Sequence, residues 1–224
     1  MRASLRPHRV QKAACRRAVA DALGEEIAEA LLRECGIEAL PDRLAAAPRD
    51  LDALSEELQP FVVLYRALLA RAGREVALAV TRRAIVESGR AAHADAADLQ
   101  RRAMDGQDDG DAPLNVTSPP PPGFRGDPAE VERKFALAMR FFSCEGRLLA
   151  YGPEEVRFHI TACNWVRAME RAGAPELIPF FCETDERFMD GHPTHRLVRP
   201  TAIGLGNTYC DFRFVPKATG EGNP

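Results

Sequence analysis

The chain has 224 residues, 46% hydrophobic and 28% charged, an ordinary globular composition with material for a sizeable core. A net charge of −3 and an isoelectric point near 6.0 leave no basic excess, so nucleic acid and anionic membrane surfaces are not expected partners. No stretch approaches the roughly 20 apolar residues of a membrane span.

The amino terminus, MRASLRPHRVQKAACRRAV, is basic, with no acidic residue before Asp21. An organellar transit peptide shares that composition. The apolar run of a secretory signal is missing, and the stretch reads as the polar start of a first helix. From about 9 to 35, Val19, Leu23, Ile27, Ala30 and Leu31 recur at helical spacing, and Gly36 stands where a C-terminal cap belongs. Residues 38–49 read as a connection. A second helix starts near Asp50 with an interruption expected at Pro60, and LQPFVVLYRALLARAG and REVALAVTRRAIVESGR form a helix pair joined at Gly73.

Between Gly89 and Asp127 the character changes to acidic, turn-rich sequence and four consecutive prolines, which favour an extended linker or surface arm. Asp127-Pro128 is a helix start, a cap residue followed by proline in the first turn, and predicts a helix over about 128–142 with Val131, Phe135, Met139 and Phe142 on one face. GRLLAYG and EVRFHITA predict two strands meeting at Gly152-Pro153; in the second, Val156, Phe158, Ile160 and Ala162 alternate with Arg157, His159 and Thr161. Helices follow over Asn164–Ala172 and from Pro175 to about Met189. His192 and His195 read as turn residues, and HRLVRPTAIGLG and TYCDFRFVP as a final strand pair. The expected class is α+β, N-terminal helices packed with a mostly antiparallel β-sheet in the C-terminal third. The expected organisation is a helical region over 1–93, a Pro/Gly/Asp-rich linker or arm over 94–127, an α/β region over 128–216 forming one domain with 60–93, and a flexible tail over 217–224.

The six cysteines, Cys15, Cys35, Cys144, Cys163, Cys182 and Cys210, are irregularly spaced without a CxxC pair, which predicts reduced thiols in a cytoplasmic protein. Residues capable of chemistry gather in the last third. Cys163 closes a strand before a helix, Cys182 and Asp185 share a helix face, and Cys210 and Asp211 occupy a strand whose adjacent side chains point to opposite faces. Arg199 and Arg213 are charges in otherwise apolar strands, suited to gripping a substrate carboxylate. His159 and Asn164 complete the candidate binding set, although His159, on the polar side of its strand, reads as readily as a solvated residue. A thiolate with carboxylates and a histidine suits attack on an electron-poor carbon flanked by nitrogens, with the carboxylates binding N–H groups and moving protons. Each cysteine equally suits a plain core position. Cys15 and Cys35 read as structural, and Cys144 either way. Gaps of 19 and 28 residues between Cys163, Cys182 and Cys210 lack the short-spaced pair of a structural zinc site, so no metal and no cofactor are expected.

The runs HITACNW, GAPELIPFFCETD and LVRPTAIGLGNTYCDFRF resemble the signature of the L-2-amino-thiazoline-4-carboxylic acid hydrolase family. The matching positions are Cys163 at a strand end; Gly173, Glu176 and Leu177; Cys182 with Asp185; and Arg199, Gly206, Cys210, Asp211, Phe212, Arg213 and Phe214. LYRALLARAGREVALAVTRRAI resembles the family's upstream helix pair, so the likeness covers about residues 60–215 and is dense after 155. Ala202 departs from it, standing where a polar residue is expected, and the proline-rich arm and first ~50 residues have no counterpart. The resemblance implies hydrolytic opening of a small heterocycle: water adds to the amidine carbon of an aminothiazoline and the ring sulfur leaves, giving an N-carbamoyl cysteine. It implies Cys182 or Cys210 as the thiol at the site, with Cys163 the third candidate. Asp185 and Asp211 would bind amidine N–H groups and relay protons, and Arg199 or Arg213 would hold a carboxylate. A small-molecule substrate is the expected partner, and a homo-oligomer is compatible with the sequence. Two other readings stand beside it: a non-catalytic small-molecule-binding domain, and a different biosynthetic enzyme on the same scaffold, toward which Ala202 and the proline arm lean.

Overall fold

A computed structural model describes residues 7–40, 50–106, 114–117, 119–120, 122–190 and 194–217. The connection over 41–49, the acidic stretch 107–113, His192 in its turn and the tail from 218 lie outside the described residues. In chain order come α1 (Pro7–Leu23), α2 (Glu25–Glu34), α3 (Leu51–Gly106), α4 (Pro128–Phe141), β1 (Cys144–Tyr151), β2 (Val156–Cys163), α5 (Asn164–Arg171), α6 (Ile178–Asp190), β3 (His195–Val198) and β4 (Cys210–Pro216). Short 3-10 turns at Pro175–Leu177 and Ile203–Leu205 lead into α6 and β4. The class is α+β, with helices concentrated in the N-terminal part and an antiparallel sheet toward the C-terminus.

The helix expected over 9–35 is two helices. Gly24 adopts φ 96, left-handed backbone that is cheap only without a Cβ, and breaks it. Gly36 caps α2 as expected: its N–H donates to Arg33 O and that of Ile37 to Leu32 O, both at 3.1 Å, while the Ile37 side chain is fully buried. The helix pair does join at Gly73 (φ 81), where the two arms of α3 meet. Pro60 does not interrupt it. A proline inside a helix costs about 3 kcal/mol, but the turns around it bury Leu58, Phe61, Val62, Leu64, Tyr65 and Leu68, and packing of that face outweighs the lost hydrogen bond. The helix also runs past 93 to Gly106, so the linker expected from 94 opens later.

The helices α1, α2 and α3 bury one apolar core, closed by Ala168 and Met169 from α5, Leu177 from the 3-10 turn and Ile178 from the start of α6. A second core lies between α4 and the sheet, where Phe135 meets Phe158, and Phe158 stacks on Phe212 with centroids 5.1 Å apart. Helix α4 starts where the sequence places it, the Asp127 side chain accepting from Ala129 N at 3.2 Å. Part of the arm before it joins this core: Val116 is buried there, and Phe124 packs edge-on against Tyr151. His195 opens β3 instead of lying in a turn, and β3 ends at Val198, so the rest of HRLVRPTAIGLG is a loop carrying the 3-10 turn.

The strand order is β1-β2-β4-β3, every neighbouring pair antiparallel. Register pairs Phe158 with Phe212 and Ile160 with Cys210 on the inner face, and Arg157 with Arg213 and His159 with Asp211 on the outer face. Between β1 and β2 the register shifts twice: at Leu149 on β1, and at Thr161 on β2. Each shift is a bulge that leaves one residue unpaired.

Candidate functional site

Strict alternation along β2 would put Cys163 on the outer face with His159 and Thr161. The bulge at Thr161 reverses the parity, and Cys163 turns inward to pack against the sheet-side core beside Cys144, Cys182 and Cys210. Cys144 stands opposite it as the first residue of β1. Ser143, at φ 58 and therefore in left-handed backbone without being glycine, makes the turn from α4 into that strand.

Cys163 ends β2 at the N-terminus of α5. The neighbouring Cys144 thiol, whose S–H points to Phe142 O at 3.4 Å, lowers its pKa to about 7 against the opposing effect of burial, and the backbone N–H groups of Val166 and Trp165 pull the same way. The positive end of a helix favours the thiolate. Cys144 is pushed up by the adjacent Cys163 sulfur and by burial, so Cys163 is the sulfur that ionises. Cys182, half-buried on α6, is raised to about 12 by burial. Cys210 is buried and raised by desolvation, although its sulfur accepts from Ile203 N at 3.2 Å.

Arg199 lies one residue beyond β3 with a side chain only 2% exposed. Its Nη1 donates to Asp185 at 2.9 Å, and its Nη2 to Cys182 O at 2.7 Å and Glu186 at 2.9 Å. The guanidinium sits 5.3 Å above the Phe212 ring. Burial works against its charge, and Asp185, the Cys182 sulfur and Glu186 outweigh it, leaving its pKa raised. The Nε has no hydrogen-bond partner. Asp185 keeps 36% of its side chain exposed at the edge of this cluster. Burial nevertheless pushes its carboxyl up to about 6, against the pull of Arg199. Gly204, in the 3-10 turn, lets that turn close on α6: a Cβ there would stand 2.6 Å from both Cys182 Sγ and Ile178 Cγ2.

The inner face therefore brings together Cys163, Cys182, Cys210, Asp185 and Arg199, with Asn164 opening α5 beside Cys163. Asp211, Arg213 and His159 are on the other side of the sheet. Asp211 is buried and accepts from Arg157 through both oxygens, at 2.9 and 2.8 Å, which lowers its pKa. His159 Nε2 lies 3.5 Å from Asp211, and its ring packs on Tyr209 at 4.4 Å. Arg213 pairs with Glu155 at 2.8 Å. These residues form a polar network centred on the Arg157–Asp211 and Arg213–Glu155 ion pairs and do not reach the thiols.

Sequence reasoning leaves Cys144 open and does not single out Gly204 or Arg157. A signal for Cys144 existed: counting back equally from the turn between Tyr151 and Val156 pairs residue 144 with 163, and the two bulges cancel, so the count survives them. A separate groove of about 500 Å³ between α3 and α6 shares none of the thiols, and its arginines Arg82, Arg83 and Arg187 are paired with Glu183, Asp21 and Glu87. Among the described residues no group of three or more His, Cys, Asp or Glu is arranged to hold a metal ion, and no helix is long and apolar enough to cross a membrane.

The model of the family described as L-2-amino-thiazoline-4-carboxylic acid hydrolase matches residues 54–214. No curated protein matches the chain. Among solved structures, a mutant H-NOX protein from S. oneidensis in the Fe(II) ligation state aligns over 93% of this chain and 95% of its own, at 11% identity and a TM-score of 0.39. At that score the likeness carries no argument about fold or chemistry.

Proposed function

The chain belongs to the L-2-amino-thiazoline-4-carboxylic acid hydrolase family, and we propose that it hydrolyses a small cyclic amidine or thiazoline through a thiolate on Cys163. The observation that carries this reading is the environment of that sulfur. Of the thiols on the inner face, Cys163 alone has its pKa lowered, by Cys144 and the start of α5, while burial raises those of Cys182 and Cys210. Only the thiolate attacks, so near neutral pH Cys163 is the competent nucleophile.

Asp185, a carboxylate above about pH 6, binds the N–H groups of an amidinium at the exposed edge of the cluster. Attack forms a bond from Cys163 Sγ to the amidine carbon and moves the C=N electron pair onto the ring nitrogen. Collapse of the adduct breaks the ring C–S bond. The ring sulfur leaves as a thiolate and takes up a proton, and an isothiourea remains attached to Cys163. Water, deprotonated by Asp185, adds to the same carbon, and expulsion of the Cys163 thiolate completes the net addition of one water. With an imide or ureide the bond broken is C–N.

Arg199 is a positioning residue in this scheme. Its Nη groups hold Asp185, Glu186 and the α6 backbone, and Nε–H is what it can offer an anionic substrate group. The test is mass spectrometry of reduced protein with a panel of cyclic amidines, thiazolines, imides and ureides, reading a substrate that gains one water. Turnover abolished in Cys163→Ser but kept in Cys210→Ser, with a trapped adduct on Cys163 in the wild type, is the expected result. Full turnover by Cys163→Ser overturns the assignment. Absence of turnover over the whole panel turns the reading toward a binding domain.

A further inference from the structure

The placement of Cys144 against Cys163 has a use beyond tuning a nucleophile. Asn164 N donates to Ser143 O at 3.2 Å, the hydrogen bond that flanks their cross-strand position. Cys144 and Cys163 are thus a non-hydrogen-bonded antiparallel pair. Cα atoms of such pairs lie about 4.5 Å apart, with side chains on the same face. Disulfides span Cα separations of about 4.4–6.8 Å, so the pair meets the requirement without backbone movement. Both residues are half-buried and in the free thiol form. Cys182 and Cys210 stand on α6 and β4, outside this register.

We propose that Cys144 and Cys163 form a reversible disulfide in response to a peroxide, closing the thiol site. The Cys163 thiolate attacks the peroxide O–O bond, giving a sulfenic acid and releasing hydroxide or alkoxide. The Cys144 thiol then attacks that sulfur, forming the S–S bond and releasing water. Two electrons pass from the two thiols to the peroxide. A dithiol reductant returns both sulfurs by exchange. Cys144 is the resolving thiol, and its proximity protects Cys163 from irreversible oxidation. The loss of activity rests on the proposed role of Cys163; the disulfide itself does not.

The experiment treats the full chain with stoichiometric hydrogen peroxide, blocks free thiols and maps peptides without reduction. The expected result is a 144–163 cross-linked peptide lighter by two hydrogens, reversed by dithiothreitol and retained in Cys182→Ser and Cys210→Ser. In Cys144→Ala, whose folding is checked by melting, Cys163 given excess peroxide instead gains two or three oxygens, one peroxide consumed per oxygen, and is not recovered. Oxygenated Cys163 beside a free Cys144 in the wild type, or a disulfide from Cys163 to any other cysteine, overturns the proposal. Turnover lost in proportion to the cross-link supports both readings. A cross-link with turnover intact leaves the disulfide standing and removes Cys163 as the nucleophile.

Discussion

Replacing Cys144 with alanine isolates the interaction that most lowers the Cys163 pKa. The variant removes the neighbouring thiol but leaves the N-terminus of α5 and the burial in place, so the pKa moves up from about 7 toward the ordinary value of 9.0. At that limit the thiolate fraction at pH 7 falls from about half to about one percent, roughly 50-fold. Intrinsic nucleophilicity works the other way: with a Brønsted slope of about 0.45, two pKa units make the remaining thiolate about eightfold more reactive. The fraction wins, and labelling of Cys163 by an aromatic disulfide slows by about sixfold at pH 7. The order reverses at higher pH, with the wild-type and variant curves crossing at about pH 8, below the variant's pKa. The assay follows the labelling rate at Cys163 by peptide mapping from about pH 6 to 10, roughly two units either side of that crossing. A wild-type midpoint near the ordinary thiol value, or identical profiles for the two proteins, refutes the reasoning.

The partition between the two faces gives a paired prediction. Asp185→Asn lowers kcat/KM by roughly 100-fold or more, in the range expected for loss of a general base, whereas Asp211→Asn keeps turnover per folded molecule and costs about 1–2 kcal/mol in urea unfolding through its bonds to Arg157. Equal loss of turnover in the two variants would sink the partition. The lowered pKa of Asp211 adds a pH dependence: its stabilisation is complete above its unfolded value of 3.8 and disappears as pH falls through its folded value. Wild-type unfolding free energy therefore drops more steeply than that of Asp211→Asn as pH falls below about 4, and parallel slopes contradict the assignment. Gly204→Ala forces a methyl to within 2.6 Å of Cys182 Sγ and Ile178 Cγ2. It should destabilise by about 1–3 kcal/mol in the same assay, and an unchanged midpoint shows that the turn yields freely.

Signals carried within a short window were readable before any coordinates. The Asp127-Pro128 start of α4 needs only a cap and a preset φ, the Gly73 junction needs a residue tolerant of positive φ, and β2 announces itself by period-two alternation. The break at Gly24 and the continuity through Pro60 are not legible locally because propensity is weak beside packing. Gly24 reads as one tolerable glycine until its backbone is seen at φ 96, and Pro60 reads as a breaker until the core beneath its helix is counted.

By itself the sequence determined the α+β class, the family and the last third as the place where reactive side chains gather. Tertiary structure alone decided which of those side chains meet. The adjacency of Cys210 and Asp211 already implied opposite faces of a strand, yet only the sheet register shows that His159 and Arg213 go with Asp211 and leave Asp185 as the carboxylate beside the thiols. One bulge at Thr161 sets the side to which Cys163 points, and the pairing of two strand ends gives it Cys144. The physical reason is that a thiol's acidity depends on distance to donors, dipoles and solvent. Those distances are set by register and by the approach of helices far apart in the chain, which no local pattern of residues records.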